Sequence, residues 1–141
     1  MFPSIARSVL RDQKAPTLSI RFISNHHGRN EAMGALTEDD LHHTLMKSPP
    51  PPFTRLVAHE WQSQSGVGDM VFEDPKNNHF LVVEAKLLRG SKPKYIQQKW
   101  EKVQEQAGRY GRDWKHENPS AFVKYATFTN RDGLLPQGEL R

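Results

Sequence analysis

Apolar positions change period several times along the chain, and each period predicts an element. In ALTEDDLHHTLM, residues 35–46, Leu36, Leu41, Leu45 and Met46 fall at helical spacing, Thr37 offers an N-cap and acids fill the first turn. The run Pro49 to Pro52 ends that helix as a short rigid connector. Residues 53–62, FTRLVAHEWQ, fit two periods: a strand puts Val57, His59 and Trp61 on one face, and a helix groups Phe53, Val57 and Trp61. Two β-rich runs, Met70 to Phe72 and Phe80 to Val83, flank the turn cluster Pro75-Lys76-Asn77-Asn78 and predict a β-hairpin. Ile96, Trp100, Val103, Ala107 and Tyr110 then form an unbroken apolar stripe, which predicts a helix over 94–112 closed by Gly111. Residues 120–128, SAFVKYATF, alternate as a last strand. After a turn at 129–133, LLPQGELR reads as a loose tail.

The candidate chemistry sits at the open end of the hairpin. Strand side chains alternate between faces, so Glu84 and Lys86 are expected to point the same way. Asp69 opens the first strand and can lie beside the end of the second. Two carboxylates and an ammonium then converge at the end of an otherwise apolar hairpin. Carboxylates so close repel, and one of them tends to keep a proton. A divalent cation relieves the conflict, and Mg²⁺ (or Mn²⁺) prefers one or two carboxylates with waters completing the shell. Such an ion lowers the pKa of a water and stabilises charge on a phosphate, while a neighbouring lysine neutralises developing negative charge. The set is suited to hydrolysing a phosphodiester.

Gly68-Asp69, a gap of 14 residues and Glu84-Ala85-Lys86 resemble the D…(D/E)-x-K signature of the PD-(D/E)xK nuclease superfamily. Gly68 stands where that family's signature begins with proline. Gln106-Ala-Gly-Arg-Tyr110 resembles the Q-x-x-x-Y element of the RecB-like and phage-exonuclease-like branch. The resemblance covers roughly residues 54–128. It implies an α/β, restriction-endonuclease-like three-layer core of order αβββαβ with a mixed central sheet of about four strands. On that order, residues 53–62 are the first strand. It further implies that Asp69, Glu84 and the backbone carbonyl of Ala85 hold the metal, that Lys86 orients or activates water, and that Gln106 and Tyr110 hold the substrate strand. Family members often add an upstream acid; Glu38, Asp40 and Glu60 are the candidates, with Glu60 favoured.

Composition narrows the picture. A chain of 141 residues makes one domain of ordinary size, and 35% hydrophobic content gives a modest core. There is no cysteine, so disulfides and thiolate metal sites are excluded. No apolar run approaches a membrane span. Residues 1–30 hold five Lys/Arg and one acid, Asp12, whereas residues 31–141 hold 15 of each sign. The body is divided again: Glu31 to Asp74 carries eight acids against Lys47 and Arg55, and Lys86 to Lys115 carries nine basic residues against Glu101, Glu105 and Asp113. Acids for the metal and bases for the phosphate backbone suit a nuclease, with Lys92, Lys94, Lys99 and Arg109 as outer phosphate contacts. His42 and His43 are adjacent, cannot comfortably share one metal, and read as surface residues.

The expected organisation is therefore a basic segment over 1–30, a nuclease-like domain over 31–130 and a tail over 131–141. The first segment, with Phe2, Ile5, Val9 and Leu10 on one side and Arg21-Phe22-Ile23-Ser24 near its end, reads either as a mitochondrial presequence or as a basic tail that touches nucleic acid. The former places the protein in the mitochondrial matrix; the latter leaves nucleus or cytoplasm. The expected partner is DNA, acted on in repair, recombination or end processing, with RNA, a homodimer or a larger complex left open. The competing reading is a catalytically silent nucleic-acid-binding or assembly module that keeps the same fold.

Overall fold

The computed structural model describes residues 36–141. The expected presequence or basic tail over 1–30 lies outside them. Seven elements follow in order: α1 (Glu38–Lys47), β1 (Arg55–Ser63), β2 (Gly66–Asp74), β3 (His79–Lys86), α2 (Pro93–Glu117), β4 (Phe122–Thr129) and β5 (Gly133–Leu140). The strands form one mixed sheet in the order β1-β2-β3-β4-β5. All neighbours pair antiparallel except β3 and β4, which are parallel and joined through α2. That crossover makes α2 run back against β3, so its N-terminal turns approach the end of β3 that carries Glu84.

Each helix covers one face of the sheet. Leu41 and Leu45 of α1 pack on Met70, Phe72, Leu81, Val83 and Phe128. Tyr110 of α2 packs with Val71, Phe80, Val82 and Val123, flanked by Trp61, Trp114 and Tyr125. The strict alternation of β3, with Leu81 and Val83 on one side and Phe80 and Val82 on the other, is what a strand buried on both faces requires. Helix α1 starts where the sequence predicts. The Thr37 hydroxyl accepts the Asp40 N–H at 3.2 Å and the Asp40 carboxylate accepts the Thr37 N–H at 2.7 Å, a complete capping box.

Several expectations are corrected. The sheet has five strands, because residues 133–140 form β5 rather than a loose tail. Pro136 is tolerated there because β5 is an edge strand whose register shifts opposite Tyr125 and Ala126. Gly138 leaves room for the end of the Tyr125 side chain, since a Cβ there would sit 2.3 Å from its hydroxyl and the ring would have to shift. Gly111 does not close α2, which runs on to Glu117. A Cβ at Gly111 would lie 2.9 Å from the Tyr125 ring, so this glycine is a close-packing position inside the helix.

Candidate active site

The antiparallel ladder between β2 and β3 is regular from Asp74↔His79 to Met70↔Val83, where it ends. The Asp69 N–H donates to Glu84 Oε2 at 2.8 Å, and the Ala85 N–H donates to Asp69 Oδ2 at 2.8 Å. Each carboxylate thus takes the place of a ladder acceptor on the opposite strand. One oxygen of each is used in this clasp. Asp69 Oδ1 and Glu84 Oε1 remain as a pair of hard donors at the fork, the donor type that Mg²⁺ or Mn²⁺ takes. The backbone carbonyl of Ala85 was expected to join them; the contact that Ala85 makes to this pair is through its N–H.

Glu84 is buried, with 4% of its surface exposed. Burial, and then the Asp69 charge, push its carboxyl up to about 9, against the pull of the Asp69 N–H and of Arg109. Burial also raises Asp69; the Ala85 N–H and His42 oppose this, and Glu38 and Glu60 add to it. Near neutral pH and without a cation, the fork therefore holds a proton on Glu84.

Lys86 does not converge on this pair as expected. Its Nζ lies 3.3 Å from Glu38 Oε2, and the same oxygen accepts the Leu87 N–H at 3.3 Å. Lys86 is the last residue of β3, where its long stem can lean toward α1. Of the three upstream acids, Asp40 is committed to the helix cap, Glu38 holds Lys86 while also acting on the Asp69 charge, and Glu60 acts on Asp69 as well. The register on both sides of Glu60, His59↔Met70 and Trp61↔Gly68, sets it opposite Asp69 across β1 and β2. Glu60, Asp69 and Glu84 thus form a row of carboxylates across three adjacent strands.

Glu60 has φ +51°, a left-handed backbone in the middle of a strand. This breaks the expected alternation of β1. Trp61 packs against Tyr110 and Trp114 on the α2 side, while His59 meets His42 on the α1 side, although both were expected on one face. Gly68 lies directly under Trp61, where a Cβ would be 2.6 Å from the indole, so any larger residue there would displace the ring.

His42 was read as a surface residue and is buried, 6% exposed. Its Nε2 lies 3.7 Å from Asp69 Oδ2 and its Nδ1 lies 3.1 Å from His59 Nε2. The signal was present in the sequence: His42 follows Leu41 and precedes Leu45 by three, so it borders the core stripe of α1. His43, one residue on, is exposed.

On α2, Tyr110 is buried and Gln106 half-buried. The Arg109 guanidinium lies 5.2 Å from the Tyr110 ring centre, pairs with Glu105 at 3.3 Å, and acts on the charge of Glu84. Arg109 is held above its usual pKa, with the Tyr110 hydroxyl as the leading cause. Lys92 and Lys94 are exposed on the first turns of α2, and the Lys99 ammonium sits 4.6 Å above the exposed Tyr95 ring. Among the described residues no helix is long and apolar enough to cross a membrane. No family model, curated protein or solved structure matches the chain.

Proposed function

We propose that this chain is a metal-dependent deoxyribonuclease of the PD-(D/E)xK type, with a restriction-endonuclease-like core. The carrying observation is the fork: a buried and a half-buried carboxylate, Glu84 and Asp69, on adjacent strands, each clasped by the other strand's N–H. Such a pair is unfavourable on its own, because burial and mutual repulsion hold a proton on Glu84. A purely structural role would be served better by apolar residues. The element order α-β-β-β-α-β, extended by one edge strand, agrees with the core that the sequence resemblance implies.

Asp69 and Glu84 would hold the ion, Mg²⁺ or Mn²⁺, with the Ala85 carbonyl as the further oxygen that the resemblance suggests. When bound, the ion supplies a more acidic water and a counter-charge for the phosphate. Lys86, positioned by Glu38 at 3.3 Å, provides a fixed ammonium at the same end of the sheet. It would orient the attacking water or neutralise charge developing on the phosphate. Arg109, Lys92, Lys94 and Lys99 line α2 as it leaves the fork and would take the DNA backbone. Gln106, one turn nearer the fork than Tyr110, would contact the strand. The burial of Tyr110 against Trp61 assigns it to supporting Arg109 more than to touching DNA. One observation favours the catalytically silent alternative: the Lys86 ammonium rests on Glu38, not on the carboxylate pair.

A nicking assay with the purified full chain separates the two. Cleavage of supercoiled DNA is expected with Mg²⁺ or Mn²⁺, to vanish in chelator, and to be lost in Asp69→Asn and Glu84→Gln while both variants still bind DNA. Metal-independent cleavage, or wild-type protein that binds DNA without cutting it in either metal, overturns the reading.

A further inference from the structure

We propose that His42, His59 and Glu60 form a separate cation site, suited to a zinc-class transition ion rather than to Mg²⁺. One ligand atom from each of the three lies within 4.8 Å of the others. They come from two elements: His42 from α1, His59 and Glu60 from the edge strand β1. The ion would tie the helix to the sheet edge.

Four features of the geometry support this. First, His42 Nδ1 and His59 Nε2 are 3.1 Å apart. Two imidazole nitrogens on one tetrahedral zinc, each at 2.0–2.1 Å from it, stand about 3.3 Å apart. The hydrogen-bonded pair therefore needs only a small opening to accept the ion. Second, the other ring nitrogen of His42 lies 3.7 Å from Asp69 Oδ2. That gap is longer than a hydrogen bond, and a small closure of it on metal binding would put a carboxylate behind the far nitrogen, which leaves Nδ1 with its lone pair for the metal and raises its basicity. Third, the left-handed φ of Glu60, +51°, interrupts the strand so that consecutive residues His59 and Glu60 both serve one point. In a regular strand their side chains would diverge to opposite faces. Fourth, the donor set is two nitrogens and one oxygen. Imidazole suits zinc, copper or nickel, whereas Mg²⁺ selects oxygen. Three protein ligands also leave a fourth position for water, as in open zinc sites.

The site differs in donor chemistry from the Asp69–Glu84 pair, and its occupancy does not depend on the nuclease reading. It uses Glu60 for the nitrogen-rich cluster, which removes that residue from the oxygen site. Asp69 touches both, as a ligand of one and the outer partner of His42 in the other.

The test is zinc binding by the metal-free, tag-free full chain, followed by calorimetry in a buffer with excess Mg²⁺. One zinc per chain is expected, not displaced by Mg²⁺, with a rise in melting temperature on zinc addition. His59→Ala and Glu60→Gln alter exposed side chains, so both should fold. Each should weaken zinc binding by about tenfold or more, since even the loss of a group behind a ligand costs that much. Glu84→Gln should bind zinc as the wild type does. Zinc affinity unchanged in both His59→Ala and Glu60→Gln overturns the proposal, because the ion then sits elsewhere. Loss of zinc binding in Glu84→Gln with retention in His59→Ala overturns it too, by assigning the ion to the carboxylate pair. A wild type that takes up no zinc leaves the two histidines as a plain hydrogen-bonded pair. Failure of the chain to cut DNA would remove the nuclease reading and leave these outcomes as they are.

Discussion

Two buried carboxylates flank β2, and the protein treats them in opposite ways. Asp113, on α2, meets the β1–β2 turn: the Ser65 hydroxyl donates to its Oδ2, and Gln64 Nε2 approaches Oδ1 at 3.5 Å. Burial alone would raise its pKa, but hydrogen bonds from Ser65, Ser63 and Gln64 outweigh burial and hold it below the usual aspartate value. Glu84 is as little exposed but lies deeper among protein atoms, receives one N–H and faces a second carboxylate, and it is pushed up to about 9. Low exposure is common to both, so low exposure alone is not what marks a site. The difference lies in how deep each carboxylate sits and how many donors it has been given. Asp113 has its charge satisfied by the fold and ties α2 to a turn; the fork has a deficit of positive partners that an ion would supply.

The largest effect expected from breaking this comparison is on activity. Asp69→Asn and Glu84→Gln should each reduce Mg²⁺-dependent cleavage by about 10³-fold or more, a transition-state loss of ~4 kcal/mol. Asp113→Asn should keep cleavage near the wild-type level once the folded fraction is allowed for. Single-turnover cleavage of a defined duplex measures all three. An Asp113 variant as inactive as the fork variants would erase the functional distinction between the two carboxylates.

Next in size is stability. Asp113→Ala removes the acceptor of the Ser65 hydroxyl and of Gln64, both exposed and able to turn to water, and should lower stability by ~0.5–1.5 kcal/mol, the usual net worth of a hydrogen bond. Urea unfolding at neutral pH is the measurement, and a change below a few tenths would show that the turn contact is idle.

How much of this was legible beforehand varies by element. Helix α1, the hairpin, the body of α2 and β4 follow from periodicity, and in α1 the cap residues agree with the apolar stripe as well. The fork was legible as the pairing of Asp69 with Glu84, because the hairpin turn fixes the register. What sequence reading missed traces to particular side chains. Gly111 looks like a stop signal and Gly138 lies in a stretch that looks like a tail, but both make room for Tyr125, a long-range contact that no local pattern encodes. Pro136 looks like a break and is harmless on an edge strand. The split of His59 from Trp61 depends on one left-handed residue, Glu60, that is not glycine. The placement of Lys86 depends on a helix distant in sequence, through Glu38.

The two carboxylates also predict opposite pH responses. Unfolded Glu84 titrates at its ordinary value of 4.5 and folded Glu84 at about 9. Between those values the folded state holds the extra proton, so the metal-free protein should lose stability as pH rises, by up to ~1.4 kcal/mol per unit for one proton. Asp113 has a lowered folded value, so its contribution is present above the ordinary aspartate value of 3.8 and is lost as pH falls through the folded one. Melting temperatures of the metal-free protein from pH 5 to 9 should fall, and Glu84→Gln should flatten the slope. A flat wild-type profile would show that Glu84 is ionised throughout.

The smallest expected effect has the sharpest sign. Asp69→Asn removes one charge from the fork at nearly constant shape, and the amide oxygen can still accept the Ala85 N–H that Asp69 Oδ2 accepts at 2.8 Å. Glu84 is then relieved of the second-largest influence that raises it, after burial. The metal-free variant should melt higher than wild type, by an amount equivalent to ~1 kcal/mol, the scale of one pKa unit of coupling. The opposing loss is the approach of His42 Nε2 to Asp69 at 3.7 Å, longer than a hydrogen bond and therefore the weaker of the two. Mg²⁺ should then stabilise the wild type by linkage and the variant much less, so that the order of melting temperatures reverses when the ion is added. Asp113→Asn should melt lower than wild type in chelator and in Mg²⁺ alike, with the wild-type response to the ion preserved. If Asp69→Asn melts below wild type in chelator and neither protein responds to Mg²⁺, Asp69 is a structural partner like Asp113, and the fork is not a metal site.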